Sequence, residues 1–246
     1  MNKKKKRLDL ILQERLSKLS RNKISSLIIQ GKVTVDGKSV TKPGVLFDSD
    51  IPIECEIDEP KFVCRAGFKL EKALQEFNID VTGMTVLDAG LSTGGFTDCL
   101  LQLGATKVYG VDVGYGQVHE KIRADERVIV MERTNLRNLD SLPDTIDLVT
   151  LDLSFISVLK VMPAVTPLLK DGGKLVVLIK PQFEAERGQV GRGGIIKDSA
   201  VHKQVTDKVV AGIKEYGFEL QGLIDSPITG MHGNKEFLSY FIKILQ

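Results

Sequence analysis

Cysteine is scarce in this chain and badly spaced for structural chemistry. Cys55, Cys64 and Cys99 form no CxxC pair and leave an odd thiol, which argues against a disulfide framework and a zinc site and suits a reducing cytoplasm. Histidine is equally sparse: His119, His202 and His232 are scattered and form no ligand cluster, so no metal is expected. Long apolar runs are missing, since no segment approaches the roughly 20 residues that span a bilayer. The opening MNKKKKRLDLILQERL starts charged but interrupts its apolar part with Asp9, Gln13 and Glu14, so it reads as neither a secretion signal nor a membrane anchor.

Net charge is nearly absent as well, +2 over 246 residues, but its distribution is uneven. Residues 1–42 hold twelve Lys and Arg against three acids, whereas residues 62–246 hold twenty-one against twenty-three. A local excess of nine positive charges points to an anionic partner. The length fits a small domain over 1–60 and a large α/β domain over 61–246.

In the first sixty residues, Leu8, Ile11, Leu12, Leu16 and Leu19 recur at helical spacing, and a second helix is predicted from Arg21 to Gln30, stopping at Gly31. KVTVDGKSV follows, two β-type runs around Asp36-Gly37, a dipeptide that favours a tight hairpin turn. The pattern Arg7-Leu8-Asp9, Ser20-Arg21, Ile28, Gly31, Val33, Val35, Gly37 and Lys42-Pro43-Gly44 resembles the αL RNA-binding domain of small-subunit ribosomal protein four. That resemblance implies a grip on structured RNA, with Arg7, Arg15, Arg21, Lys32 and Lys42 as candidate phosphate contacts.

From about Lys61 short apolar runs alternate with helical patterns: MTVLDAG, KVYGVDVG, RVIVME, IDLVTLD and KLVVLIK. Such alternation predicts a Rossmann-like, mostly parallel sheet covered on both faces. FELQGLIDSP and KEFLSYFIKIL are joined by a connection too short for a helical crossover, so the last strand should run antiparallel.

The sharpest local signal is Asp88-Ala89-Gly90-Leu91-Ser92-Thr93-Gly94-Gly95-Phe96, after the first of these strands and opening the next helix. It lacks the G-x-G-x-x-G spacing that seats a pyrophosphate on a helix N-terminus. An acid two residues before the first glycine suits instead a cofactor with an ammonium group, such as the methionine end of S-adenosylmethionine. Glycines let backbone approach such a ligand closely, so valine at Gly94 or Gly95 is expected to abolish binding and spare the fold. Asp112, twenty-four residues after Asp88, is placed to accept from the hydroxyls of an adenosine ribose. Asn135 is a weaker candidate for the adenine amino edge.

Four residues stand out for chemistry. Lys69 flanks the apolar stripe of Leu70, Ala73, Leu74 and Phe77. Asp152 closes IDLVTLD, Lys180 closes LVVLIK before Pro181, and Glu236 opens the final strand. Ligands bind at the carboxyl ends of parallel strands, and an antiparallel last strand brings its beginning to the same edge, so topology gathers Asp152, Lys180 and Glu236 around one crevice. A strand-end Asp is often a helix cap, here for a helix near Ser154. Lys180 is harder to dismiss, because burying an unpaired ammonium is costly.

VCRAGFKLEKAL, DAGLSTGGFTD, LDLSF, IKPQFE and GNKEF, in this order, resemble the ribose 2′-O-methyltransferases related to FtsJ. With the N-terminal module the resemblance narrows to the bacterial TlyA family, historically labelled hemolysins. It implies S-adenosylmethionine as cofactor, ribosomal RNA as substrate with a cytidine ribose as target, and a Lys-Asp-Lys-Glu tetrad falling on Lys69, Asp152, Lys180 and Glu236. Cys64 and Ala66 depart from the Ser and Gly more usual there. A buried Lys180 with Lys69 nearby would give up its proton more readily and take or polarise that of the hydroxyl, with Asp152 and Glu236 orienting the two ammonium groups.

PQFEAERGQVGRGGIIK, carrying Arg187, Arg192 and Lys197, reads as a mobile loop that clamps RNA over the crevice. Three rival functions remain. A small-molecule or protein methyltransferase shares the cofactor loop but has no use for an RNA grip. A non-catalytic RNA-binding protein leaves the glycine loop and the tetrad unexplained, and a hemolysin or other membrane-active protein lacks a membrane-active segment.

Overall fold

The computed structural model describes residues 5–17, 19–57, 60–230 and 233–244. Part of the basic run at Lys3–Lys4, and His232, lie outside the described residues. The chain divides into two compact units, Met1–Pro60 and Lys61–Gln246.

In the first unit, β1 (Lys5–Arg7) leads into α1 (Leu8–Arg15) and α2 (Arg21–Ile29), followed by β2 (Val33–Val35), β3 (Lys38–Ser39), β4 (Leu46–Asp48) and β5 (Ile53–Cys55). Helix α1 is shorter than its leucine spacing predicts. It caps at Leu16, and Leu16 and Leu19 pack on the core from outside the helix. Ser20 caps α2 by accepting the Lys23 N–H, and Asp36 and Gly37, at φ +50° and +73°, make the turn between β2 and β3. Leu8, Leu12, Ile24, Leu27, Ile28, Val33 and Val35 form the core.

The second unit is built on a seven-stranded sheet in the order β11-β12-β10-β9-β6-β7-β8. Its elements are α3 (Gly67–Glu76), β6 (Thr85–Ala89), α4 (Gly95–Gln102), β7 (Lys107–Val111), α5 (Glu120–Arg123), β8 (Val128–Met131), β9 (Ile146–Leu151), α6 (Met162–Leu168), β10 (Leu169–Ile179), α7 (Pro181–Glu184), α8 (Ser199–Lys214), β11 (Phe218–Asp225) and β12 (Phe237–Lys243). Strands β10, β9, β6, β7 and β8 are mutually parallel. Strand β12 runs antiparallel to both β10 and β11, so the early turn of β12 lies at the carboxyl end of β10.

Alternate residues of each strand serve two cores, as a pleated sheet requires. Leu87, Tyr109, Val149 and Val177 pack with α6 and α8 on one face, while Val86, Val108, Leu148 and Val176 pack with α3 and α4 on the other. A sheet buried on both faces needs apolar residues at both parities. That is why these strands read as continuous apolar runs.

Candidate active site

At the carboxyl ends of β6 and β9 the chain must turn tightly to make room for a ligand. Gly90, at φ +90°, stands where a Cβ would lie 2.4 Å from the Asp152 carbonyl oxygen, so only glycine lets this loop close on the end of β9. Two cavities open there. The larger, about 450 Å³, is lined by Gly90, Ser92, Asp112, Asn135, Asp152 and Phe155 among others, a size that suits a nucleoside-sized ligand. The smaller, about 70 Å³, is walled by Cys64, Ala66, Thr93, Gly95 and Phe96. Gly90, Ser92 and Asp152 line both.

Asp112 is held for a purpose on the larger wall: its two carboxylate oxygens accept the Ser92 and Gly114 N–H groups, each at 2.7 Å. Asn135 also lines this cavity, but its Oδ1 accepts the Arg137 N–H at 3.1 Å as a cap, so the expected adenine contact competes with a structural one. Two expectations are corrected. Asp88, expected to face a cofactor ammonium, lines neither cavity, and its oxygens accept the Thr97 and Thr150 hydroxyls at 2.6 and 2.9 Å inside the core. Burial raises its pKa from 3.8 to about 6 despite those two donors. Nor do Gly94 and Gly95 merely spare room for a ligand. A Cβ would stand 2.9 Å from Ile122 Cγ1 at Gly94 and 2.5 Å from Cys64 Sγ at Gly95, so valine there would disrupt the fold itself.

The four residues singled out for chemistry form two ion pairs. Lys69, 7% exposed on α3, meets Glu236, 3% exposed, at 2.5 Å across 167 residues of sequence. Lys180, 9% exposed, lies 2.6 Å from Asp152 Oδ1 and donates to Ser154 Oγ at 2.9 Å. The Lys180–Asp152 contact is one of charge without hydrogen-bond alignment, which leaves the buried Asp152 Oδ1 with no hydrogen-bond donor and able to accept one from a ligand. Asp152 caps no helix; the turn at Val158–Lys160 is capped by Ser157.

Two residues that the sequence did not single out shape the rim. Phe155, 87% exposed, lines the larger cavity at φ +65°, a conformation unusual for an aromatic residue, and its ring meets Phe183 at 5.0 Å. Glu184, buried, accepts the Val158 N–H at 2.7 Å, and desolvation raises its pKa. Nothing in the local sequence signals either, because each depends on a loop about 26 residues away folding back.

The expected mobile loop is pinned. Glu186 and Gln189 form a capping box, and Asn234 holds the backbone at Gly194 and Ile196. Arg192 and Lys197 are exposed on it, while the side chain of Arg187 lies outside the described residues.

Among the cations expected to meet RNA in the first unit, Arg7 and Arg15 have internal work. The Arg7 guanidinium makes a two-pronged contact with buried Asp9 at 3.0 and 2.8 Å, which holds the Asp9 carboxyl below its usual range. Arg15 donates to the Ser49 and Ile51 carbonyls at 2.6 and 3.0 Å, clamping α1 to the turn before β5. Arg21 lies 3.9 Å from Asp9 with most of its side chain exposed, Lys42 is exposed, and Lys32 is half-buried. Among the described residues no cluster of His, Cys, Asp and Glu could hold a metal ion, and no helix is long and apolar enough to cross a membrane.

Known proteins resemble this chain over most of its length. The 16S/23S rRNA (cytidine-2′-O)-methyltransferase TlyA of Mycobacterium tuberculosis is 41% identical over 234 residues, covering 94% of this chain and 87% of that protein. Hemolysin A of Brachyspira hyodysenteriae is 42% identical over 229 residues, covering 91% and 94%. A solved Streptococcus thermophilus structure that carries a provisional hemolysin label matches with a TM-score of 0.74 and 40% identity, covering 98% of this chain and 90% of that one. An S4 domain model matches residues 6–49, and an FtsJ-like methyltransferase model matches residues 62–243. The chain therefore belongs to the FtsJ-like methyltransferases, with an S4 domain ahead of the methyltransferase unit.

Proposed function

We propose that this protein methylates a ribose 2′-hydroxyl of ribosomal RNA, at a cytidine, using S-adenosylmethionine in the cytoplasm. The observation that carries the reading is the two buried ion pairs, Lys69–Glu236 and Lys180–Asp152, the second formed by the Asp152 that lines both cavities. The names borne by the relatives support the substrate.

Asp112, fixed by two backbone N–H groups, would hold the ribose hydroxyls of the cofactor, and the Gly90–Phe96 loop would enclose its methionine end. When bound, S-adenosylmethionine supplies an electrophilic methyl group on sulfonium. A 2′-hydroxyl is a poor nucleophile at neutral pH, so the chain must take its proton in step with attack. Lys180, buried and held by Asp152 and Ser154, would take or polarise that proton at its Nζ. Lys69, fixed by Glu236, contributes positive charge near the developing alkoxide. Phe155 offers an exposed ring on which a nucleobase stacks at the cavity mouth. Arg21, Lys32 and Lys42 in the first unit, and Arg192 in the second, supply contacts to phosphate.

The test incubates labelled S-adenosylmethionine with separate ribosomal subunits and maps 2′-O-methyl positions. Lys180→Ala should abolish transfer with little change in affinity for cofactor or RNA, because its task belongs to the transition state. Lys180→Arg should not restore it, since guanidinium keeps its proton. Near-normal turnover in Lys180→Arg would make the role of Lys180 electrostatic, and loss of cofactor affinity in Lys180→Ala would make it part of the pocket wall.

A further inference from the structure

The chain on either side of Glu236 grips one and the same loop. Asn234, 3% exposed, offers its side-chain amide to the backbone of residues 194–196: Oδ1 accepts the Ile196 N–H at 3.1 Å and Nδ2 donates to the Gly194 carbonyl at 2.9 Å. Phe237, on the far side of Glu236, meets the buried His202 ring at 5.7 Å. That ring contacts the Ile196 carbonyl at 3.1 Å. A carbonyl only accepts, so His202 Nε2 carries the proton there. The loop so held displays Arg192 and Lys197 to solvent.

Asn234 also builds the floor beneath Glu236. Its backbone carbonyl accepts the Gly230 N–H at 2.8 Å, and Gly230 lies against the carboxylate so closely that a Cβ would stand 2.1 Å from Glu236 Oε1. Glu236 in turn holds Lys69.

We propose that Asn234 is a positioning residue: it locks the basic loop at 191–197 to the turn that aims Glu236 at Lys69, so that the surface meeting RNA and the buried ion pair shift as one piece. This rests on the methyl-transfer reading for its catalytic consequence, but the mechanical coupling stands on the hydrogen bonds alone. The residue type is specific to the task. An amide presents one donor and one acceptor, matched to one carbonyl and one N–H, whereas a carboxylate turns a second acceptor toward the Gly194 carbonyl.

Asn234→Asp, nearly the same size, should therefore lower kcat on the order of 100-fold and leave the KM for S-adenosylmethionine within about twofold, the signature of a displaced catalytic group. Combined with Glu236→Gln, it should cost nothing further, because its effect runs through Glu236. Losses that multiply in the double variant overturn the proposal, as does unchanged kcat. A second readout needs no activity. In Asn234→Ala, amide hydrogen exchange should rise at Ile196 and at Gly230 together, and exchange that rises at Ile196 but not at Gly230 breaks the coupling. If the native protein methylates neither subunit, the methyl-transfer reading falls, and the exchange result still decides whether Asn234 joins loop and turn.

Discussion

Asp88 sits in the core with two threonine hydroxyls on its carboxylate and a pKa raised to about 6. Between pH 3.8 and about 6 the unfolded chain releases this proton and the folded one keeps it. The contribution to stability is therefore present in acid and lost as pH rises through about 6, a swing of roughly 3 kcal/mol. Asp88→Asn carries no ionisable group and still meets both threonines, one as donor and one as acceptor. Its stability relative to the native protein should rise as the pH goes from 4.5 to 7, as read by chemical denaturation. An equal difference at both pH values would remove the buried ionisation. Asp88 and Gly90 at the end of one strand and Asp112 at the end of the next were legible in the sequence, since an acid and glycines at a strand end are a local signal. It misread what Asp88 touches, because Thr150 comes from β9, 62 residues on.

Helix α7 is a single turn, yet it fastens a loop along its length. Lys180 just before it reaches Ser154, Phe183 meets Phe155, and Glu184 takes the Val158 N–H. The strained backbone of Phe155 is sustained by this three-point contact. Glu184→Ala leaves a buried N–H without an acceptor and should cost about 1–3 kcal/mol, whereas Glu184→Gln keeps the acceptor and relieves a desolvated charge. A thermal melt should place the glutamine variant well above the alanine variant, and equal melting would deny the hydrogen bond its structural weight. The strands and the antiparallel last strand were legible because apolar runs and a short connection report directly on sheet and direction. Which carboxylate pairs with which lysine was not legible. That choice depends on how closely α3 approaches the turn before β12, a packing outcome without sequence periodicity.

Across the whole molecule, positive charge concentrates in the first 42 residues. The internal bonds of Arg7 and Arg15 leave Arg21 and Lys42 as the better test of RNA contact. Replacing both with Gln should weaken RNA binding and reduce the slope of log affinity against log salt by about one per contact. An unchanged slope in filter binding would move the RNA surface elsewhere. Placement of Glu236 near the end of the sequence has a consequence for how the protein is made. The residues of the larger cavity all lie between 90 and 161, so they leave the ribosome long before β12 does. A nascent chain can therefore wall the larger cavity while Lys69 still waits for its partner, and a message cut short after Asp225 would yield a product that lacks both the strand between β10 and β11 and the carboxylate that pairs with Lys69.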